Sequence, residues 1–257
     1  MKFKNTAKIE TSECLTEGIY SLWLLDEEIA KEAVAGQFVS LYCKDGDRLL
    51  PRPISICEID KENGRLRLVY RIAGKGTEEF SHLKAGDTIE VMGPLGNGFT
   101  LEGKKAIVIG GGIGIPPMLE LSKAMKAQGM EVTAVLGYRN QDTFLAEEFK
   151  PYGEVVIATE DGSVGTKGNV IDAIRENNLQ GDMIFSCGPT PMLRGIKAYA
   201  EEAGIRAQIS MEERMACGIG ACLACVCKSK EVDHHTNVHN KRICKDGPVF
   251  YADEIEL

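Results

Sequence analysis

Apolar and polar residues alternate in short runs through the first hundred positions. Tyr20-Ser-Leu-Trp-Leu-Leu, Gln37-Phe-Val-Ser-Leu-Tyr-Cys, Pro53-Ile-Ser-Ile-Cys, Arg65-Leu-Arg-Leu-Val-Tyr-Arg-Ile and Thr88-Ile-Glu-Val-Met are alternating or continuously apolar, as strands with a buried face are. Asp45-Gly46 and Asn63-Gly64 supply turns between them. Strands this closely spaced predict a small antiparallel barrel or sandwich. A short helix near residues 77–83 interrupts it, and Trp23 with its leucine neighbours reads as core.

The pattern changes after residue 102. Ala106-Ile-Val-Ile, Val132-Thr-Ala-Val-Leu, Val155-Val-Ile-Ala, Met183-Ile-Phe-Ser and Ala207-Gln-Ile-Ser are short apolar strands. Helical patterns separate them near residues 116–127, 144–149, 170–177 and 192–203. Strands alternating with helices predict a parallel sheet covered on both faces, a Rossmann-like arrangement. Residues 211–257 form a third unit, rich in cysteine. The expected organisation is therefore a β-barrel over residues 1–102, a nucleotide-type α/β domain over 103–210 and a small C-terminal subdomain over 211–257.

Charge narrows the function classes. The 257 residues carry a formal net charge of -8 with 26% charged positions, and this field opposes nucleic-acid binding. No apolar run approaches the roughly 20 residues that span a bilayer, and the start of the sequence lacks a signal-peptide core. A cytoplasmic location is expected. Nine cysteines, unevenly distributed, fit metal binding in a reducing compartment better than a disulfide scaffold.

Five of those cysteines crowd the end of the sequence. Cys217, Cys222 and Cys225 make a C-x4-C-x2-C run, and Cys244 follows in Arg-Ile-Cys-Lys-Asp-Gly-Pro. This is the plant-type [2Fe–2S] spacing, with Gly and Ala between thiols so that the loop can wrap a compact inorganic core. Structural zinc, usually held by two C-x2-4-C pairs, is the alternative. Cys227 would share a strand face with Cys225 and could substitute for it, but Cys225 completes the C-x2-C step. His234, His235 and His239 raise the thought of a Rieske or zinc site. With four suitable thiols present, they are read as exposed loop residues.

Three further motifs carry chemistry. Gly110-Gly111-Gly112-Ile113-Gly114 follows a strand and opens a helix whose first turn holds Pro116 and Pro117. Such a turn lets the backbone approach a pyrophosphate at a helix N-terminus, although Ile115 stands where the G-x-G-x-x-G pattern has glycine. Cys187-Gly188-Pro189 lies at the carboxyl end of a later strand, where a thiol could meet a nicotinamide ring. Arg52-Pro53-Ile54-Ser55 and Val69-Tyr70-Arg71, with Gly76-Thr77 opening the short helix, could hold a diphosphate and flavin edges. Taken singly, Arg52 and Arg71 are surface charges and Cys187 is a small buried hydrophobe.

In this order, with Gly93-Pro94-Leu95-Gly96-Asn97-Gly98-Phe99 between them, these motifs resemble the ferredoxin–NADP reductase superfamily. The segment from Met215 to Cys227, with Cys244-Lys-Asp-Gly-Pro-Val-Phe250, is similar to the electron-transfer subunits of class 1B, NAD-dependent dihydroorotate dehydrogenases. The resemblance covers nearly the whole chain and implies a Greek-key FAD-binding barrel followed by a nicotinamide-binding domain. It assigns FAD contacts to Arg52, Pro53, Ile54, Ser55, Val69, Tyr70, Arg71, Gly76 and Thr77. NAD would bind at Gly110, Gly111, Gly112, Gly114, Gly188 and Pro189, with Cys187 at the reacting ring. Cys217, Cys222, Cys225 and Cys244 would hold the [2Fe–2S] cluster.

The resemblance further implies an FMN-containing catalytic partner in pyrimidine (UMP) biosynthesis, two copies of each subunit forming a heterotetramer. The same modules could instead serve a hydrogenase or an electron-bifurcating transhydrogenase. A zinc-bearing docking subunit without redox chemistry is the alternative from another class. NAD over NADP rests on the resemblance, because Arg139 after the second strand of the nucleotide domain could meet a 2′-phosphate.

Overall fold

The computed structural model describes the chain apart from residues 45, 47 and 234–236 and the side chain of Asp233. Six strands close the barrel in the order β1-β2-β5-β4-β3-β6. They are β1 (Phe3–Thr16), β2 (Ile19–Leu25), β3 (Phe38–Tyr42), β4 (Arg52–Asp60), β5 (Arg65–Arg71) and β6 (Thr88–Leu95). Their inward residues, including Ile9, Leu22, Leu24, Val39, Leu41 and Leu68, form one hydrophobic cluster. Two helices cover it: α1 (Glu27–Glu32), started by Asp26 accepting from the Ile29 N–H at 3.0 Å, and α2 (Lys75–Ser81).

Two expectations need correction here. β1 is the longest strand of the barrel yet was not among the expected runs, because its outward positions are Lys, Glu, Thr and Ser and only Ala7 and Ile9 are fully buried. Trp23 is not core. Leu22 and Leu24 take the inward positions, and the period of two turns Trp23 outward, where the Arg65 guanidinium lies 5.0 Å from its ring centre. The Asn63-Gly64 turn joins β4 to β5, whereas Asp45 of the other expected turn lies outside the described residues.

The second sheet runs β10-β9-β8-β7-β11-β12-β15. Its parallel strands are β7 (Lys105–Gly111), β8 (Glu131–Tyr138), β9 (Glu154–Thr159), β10 (Thr166–Lys167), β11 (Met183–Cys187) and β12 (Arg206–Ser210). Helices α3 (Ile115–Ala127) and α4 (Ala146–Phe149) cover one face, and α5 (Val170–Glu176) and α6 (Thr190–Ala203) cover the other. The sheet order reverses at β7, which has β8 on one side and β11 on the other. Such a switch point opens a crevice at the carboxyl ends of the strands, here between Gly110–Gly114 and Cys187–Pro189.

The C-terminal segment makes a hairpin, β13 (Val226–Asp233) and β14 (Val238–Arg242), and then β15 (Val249–Tyr251). β15 pairs antiparallel with β12 and so extends the nucleotide sheet. Asn97 at the end of the barrel accepts this segment from the other side. Its N–H donates to the Gly247 carbonyl at 2.6 Å and its side chain to Asp246 O at 2.9 Å.

Barrel and nucleotide domain are locked around two buried charges, Arg67 and Glu120. Arg67 Nη1 lies 2.7 Å from Glu58 of the barrel and 2.5 Å from Glu148 of α4, while Nε donates to Ser21 at 2.9 Å. Glu120 of α3 accepts the Ile59 N–H at 2.8 Å, and Lys123 donates to the Ile59 carbonyl at 3.2 Å. Burial raises the Glu120 carboxyl above the usual range, against the pull of Ile59 N–H and Lys123. No helix among the described residues is long and apolar enough to cross a membrane.

Candidate functional site

A cavity of about 490 Å³ opens on the barrel beside the nucleotide sheet. Arg52, Pro53, Ile54 and Ser55 of β4 line it, as do Val69, Tyr70 and Arg71 of β5 and Thr77 of α2. Gly76 does not line it, but lies against the Arg52 side chain so closely that a Cβ would overlap the guanidinium. Thr77 fixes the start of α2, its hydroxyl accepting from Ala73 N–H at 2.8 Å and donating to the Gly74 carbonyl at 3.0 Å. The Tyr70 hydroxyl is buried without a hydrogen-bond partner, and burial beside Tyr20 raises its pKa. Arg52 and Arg71 put two guanidinium groups on the same cavity as the Val69 and Tyr70 side chains, cations for phosphates beside an apolar wall, so the residues present fit a flavin.

A second cleft of about 310 Å³ lies at the switch point. Gly111, Gly112, Gly114, Gly188 and Pro189 line it, with Arg139 and Glu160 at the ends of β8 and β9. Gly114 packs on the Cys187 carbonyl and Gly188 N so tightly that no side chain fits there, and this keeps the two turns together. Gly110 is buried behind them. Cys187 is fully buried and lines neither cavity, and burial pushes its thiol pKa up, with Glu212 adding to the effect. The sheet thus places Cys187 beneath the cleft floor.

Arg71, Ile113 and Glu212 line both cavities. Glu212 lies two residues past the end of β12, and its carboxyl is pushed above the ordinary range by surrounding protein while Arg71 opposes the shift. Nothing in the sequence pattern marks Glu212, since it sits in an irregular stretch just before the cysteine run. Phe38 and Pro248 also line the barrel cavity. Met215, two residues before Cys217, lines it as well, so the barrel cavity borders the segment that enters the thiol loop.

The thiols act on one another in pairs. Cys222 favours the ionised form of Cys217, whereas Cys225 opposes ionisation of Cys244. The loop places Gly218 (φ 68°), Gly220 (φ 85°) and Leu223 (φ 55°) in left-handed backbone, which turns its amides inward. Ala221 N–H donates to Cys217 Sγ at 3.2 Å, Gly220 N–H to Cys244 Sγ at 3.1 Å and Cys244 N–H to Cys225 Sγ at 3.4 Å. Burial opposes ionisation of Cys217, but amides of the loop and the Cys222 thiol win and hold it at about 6. Burial and the neighbouring Cys225 push Cys244 up to about 12.

Among the described residues no three His, Cys, Asp or Glu side chains gather as they would around a single ion. Four thiols at this spacing, three of them accepting backbone N–H···S bonds, fit a two-iron core better than one tetrahedral zinc. Cys227 is turned elsewhere, its thiol donating to the Lys241 carbonyl at 3.6 Å across the hairpin. His239 lies exposed on β14 with Nδ1 2.9 Å from the Lys230 carbonyl oxygen. His234 and His235 lie outside the described residues.

Known proteins share this layout. Residues 10–99 match the oxidoreductase FAD-binding domain and residues 108–198 the oxidoreductase NAD-binding domain. Residues 212–256 match the iron–sulfur cluster binding domain of dihydroorotate dehydrogenase B. The electron transfer subunit of dihydroorotate dehydrogenase B (NAD(+)) from Fusobacterium nucleatum is 42% identical, with 97% of each chain covered. The subunit of the same name from Listeria monocytogenes is 46% identical over 95% of each chain. Among solved structures, an NADH-dependent reduced ferredoxin–NADP oxidoreductase superposes with a TM-score of 0.88 at 31% identity, covering 97% of this chain and 89% of that one. The ferredoxin reductase of carbazole 1,9a-dioxygenase shares the fold (TM-score 0.69, 20% identity, 79% of this chain and 67% of that one).

Proposed function

The chain belongs to the family of dihydroorotate dehydrogenase B (NAD(+)) electron transfer subunits, and from that premise we propose that it relays electrons from a dihydroorotate-oxidising, FMN-bearing partner to NAD+. FAD supplies the exchange between single electrons, as an iron–sulfur cluster delivers them, and the pair that NAD+ takes as hydride. The work of the chain is placement. Cys217, Cys222, Cys225 and Cys244 would hold a [2Fe–2S] cluster, and the loop amides would stabilise their thiolate charge. Arg52 and Thr77 would anchor the phosphates of FAD, and Ser55, Tyr70 and Arg71 would meet its polar edges. Gly111, Gly112, Gly114, Gly188 and Pro189 would receive NAD+.

The observation that carries this reading is continuity. The barrel cavity shares Arg71, Ile113 and Glu212 with the nucleotide cleft, and Met215 beside Cys217 lines it too. Ile219 and Leu223 stand exposed on that loop, a suitable rim for the partner's docking face. A heterotetramer with two copies of each subunit and a cytoplasmic site of action, where thiols stay reduced, complete the proposal. Mixing this chain with an FMN-bearing dihydroorotate dehydrogenase subunit should give dihydroorotate-dependent NADH formation, with both proteins co-eluting. Iron- and flavin-loaded chain that reduces dyes with NADH yet never supports this reaction would refute the assignment of partner.

The likeness to the ferredoxin–NADP oxidoreductase favours a second reading, a reductase subunit of a bifurcating complex. Identities of 42% and 46% to the dihydroorotate dehydrogenase subunits, against 31%, place it second. The same mixing experiment separates the two.

A further inference from the structure

Ser40 of β3 is fully buried, and its hydroxyl has no hydrogen-bond partner. An orphaned hydroxyl in a protein interior costs about 1–3 kcal/mol, and Ala would avoid that cost at this position. The alternation of β3 explains where the group points. Val39 and Leu41 belong to the barrel core, whereas Phe38, two positions before Ser40 on the same face, packs in the cluster that contains Cys225 and Cys244. Ser40 thus lies under the thiol loop. A Cβ built on Gly218, the residue after Cys217, would come within 3.0 Å of Ser40 Oγ, and the other atoms nearest that point belong to Leu95 and Met92. Neither of those side chains offers an oxygen or nitrogen acceptor. The left-handed backbone of Gly218 brings the loop down onto the hydroxyl without a side chain between them.

We propose that Ser40 donates its hydroxyl hydrogen to a sulfur of the iron–sulfur cluster at the Cys217 end of the loop. This inference rests on the cluster reading above. A cluster gains negative charge on reduction, and hydrogen bonds to its sulfurs help set its potential. A donor on the barrel stabilises the reduced form and raises the potential. Ser40 is then a tuning residue supplied by the flavin domain, and it makes the driving force depend on the seating of the thiol loop.

The test is a redox titration of the cluster in the assembled complex, followed by electron paramagnetic resonance, with iron and sulfide quantified in each protein. Ser40→Ala should keep full iron and shift the oxidised-to-reduced equilibrium about tenfold, a potential lower by about 59 mV for one electron. Ser40→Cys, with a weaker donor of similar size, should shift it less. Full iron with an unmoved potential in Ser40→Ala overturns the proposal, and so do equal shifts in the two variants. Loss of iron from Ser40→Ala also overturns it, because the hydroxyl would then serve assembly. Absence of iron from the wild-type complex would sink the cluster reading itself.

Discussion

Arg52 and Gly76 test the flavin site from two directions. The Arg52 guanidinium lines the barrel cavity, reaches the Leu50 carbonyl through Nη1, and pairs with no carboxylate among the described residues. Its charge is therefore available to a phosphate. A hydrogen bond to a charged group is worth about 1.5–3 kcal/mol, so Arg52→Ala should weaken FAD binding by about 10- to 150-fold. Gly76→Ala approaches the same group through space. The added methyl would overlap the guanidinium, and the flexible end of the arginine can swing away to relieve the clash. Ala is also the better helix former by about 1 kcal/mol. The flavin-free Gly76→Ala protein should then be at least as stable as wild type in urea while binding FAD at least several-fold more weakly. Fluorescence titration of flavin-free protein with FAD measures the affinity. Undiminished FAD affinity in both variants would refute a phosphate role for Arg52, and a large stability loss in Gly76→Ala would refute the steric argument.

Cys222→Ser should lose iron and its visible absorption but keep FAD, whereas Cys227→Ser, whose thiol is turned to Lys241, should keep both; iron and flavin analysis of the two proteins decides. Arg67→Ala leaves Glu58, only 16% exposed, without its partner at the domain boundary, while Glu148, 42% exposed, can turn to water, and should cost about 2 kcal/mol in urea unfolding; a loss below 1 kcal/mol would show that the clamp is ornamental. Asn63 and then Arg65 hold the Asp60 carboxyl at about 2, so the folded state favours its ionised form. The stability gap between wild type and Asp60→Asn should be full above about pH 4, the unfolded value, and close as pH falls through 2; urea midpoints across that range check it.

How far the sequence discloses this molecule depends on whether a feature is local. Strands with one buried face announce themselves by alternation, and four thiols at ferredoxin spacing announce their chemistry. β1 fails the first test because it is polar along most of its length and is held by pairing with β2 and β6 on its two sides. Phe38 and Pro248 fail differently. One reads as core and the other as a turn, and they meet at the same cavity only when Asn97 draws residues 246–248 against the barrel. Glu212 carries no signal at all, since its role arises from lying just past the end of β12 where two cavities adjoin. That junction is a product of the interdomain clamp. Arg67–Glu148 and Glu120–Ile59 set how β5, with Arg71 at its end, faces α3, with Ile113 just before its start. Loosening the clamp should therefore impair hydride exchange with NADH at the shared wall before it impairs FAD binding within the barrel. In Arg67→Ala, the rate of flavin reduction by NADH should fall while FAD affinity holds, and the reverse order would mean that the two cavities are not coupled through this wall.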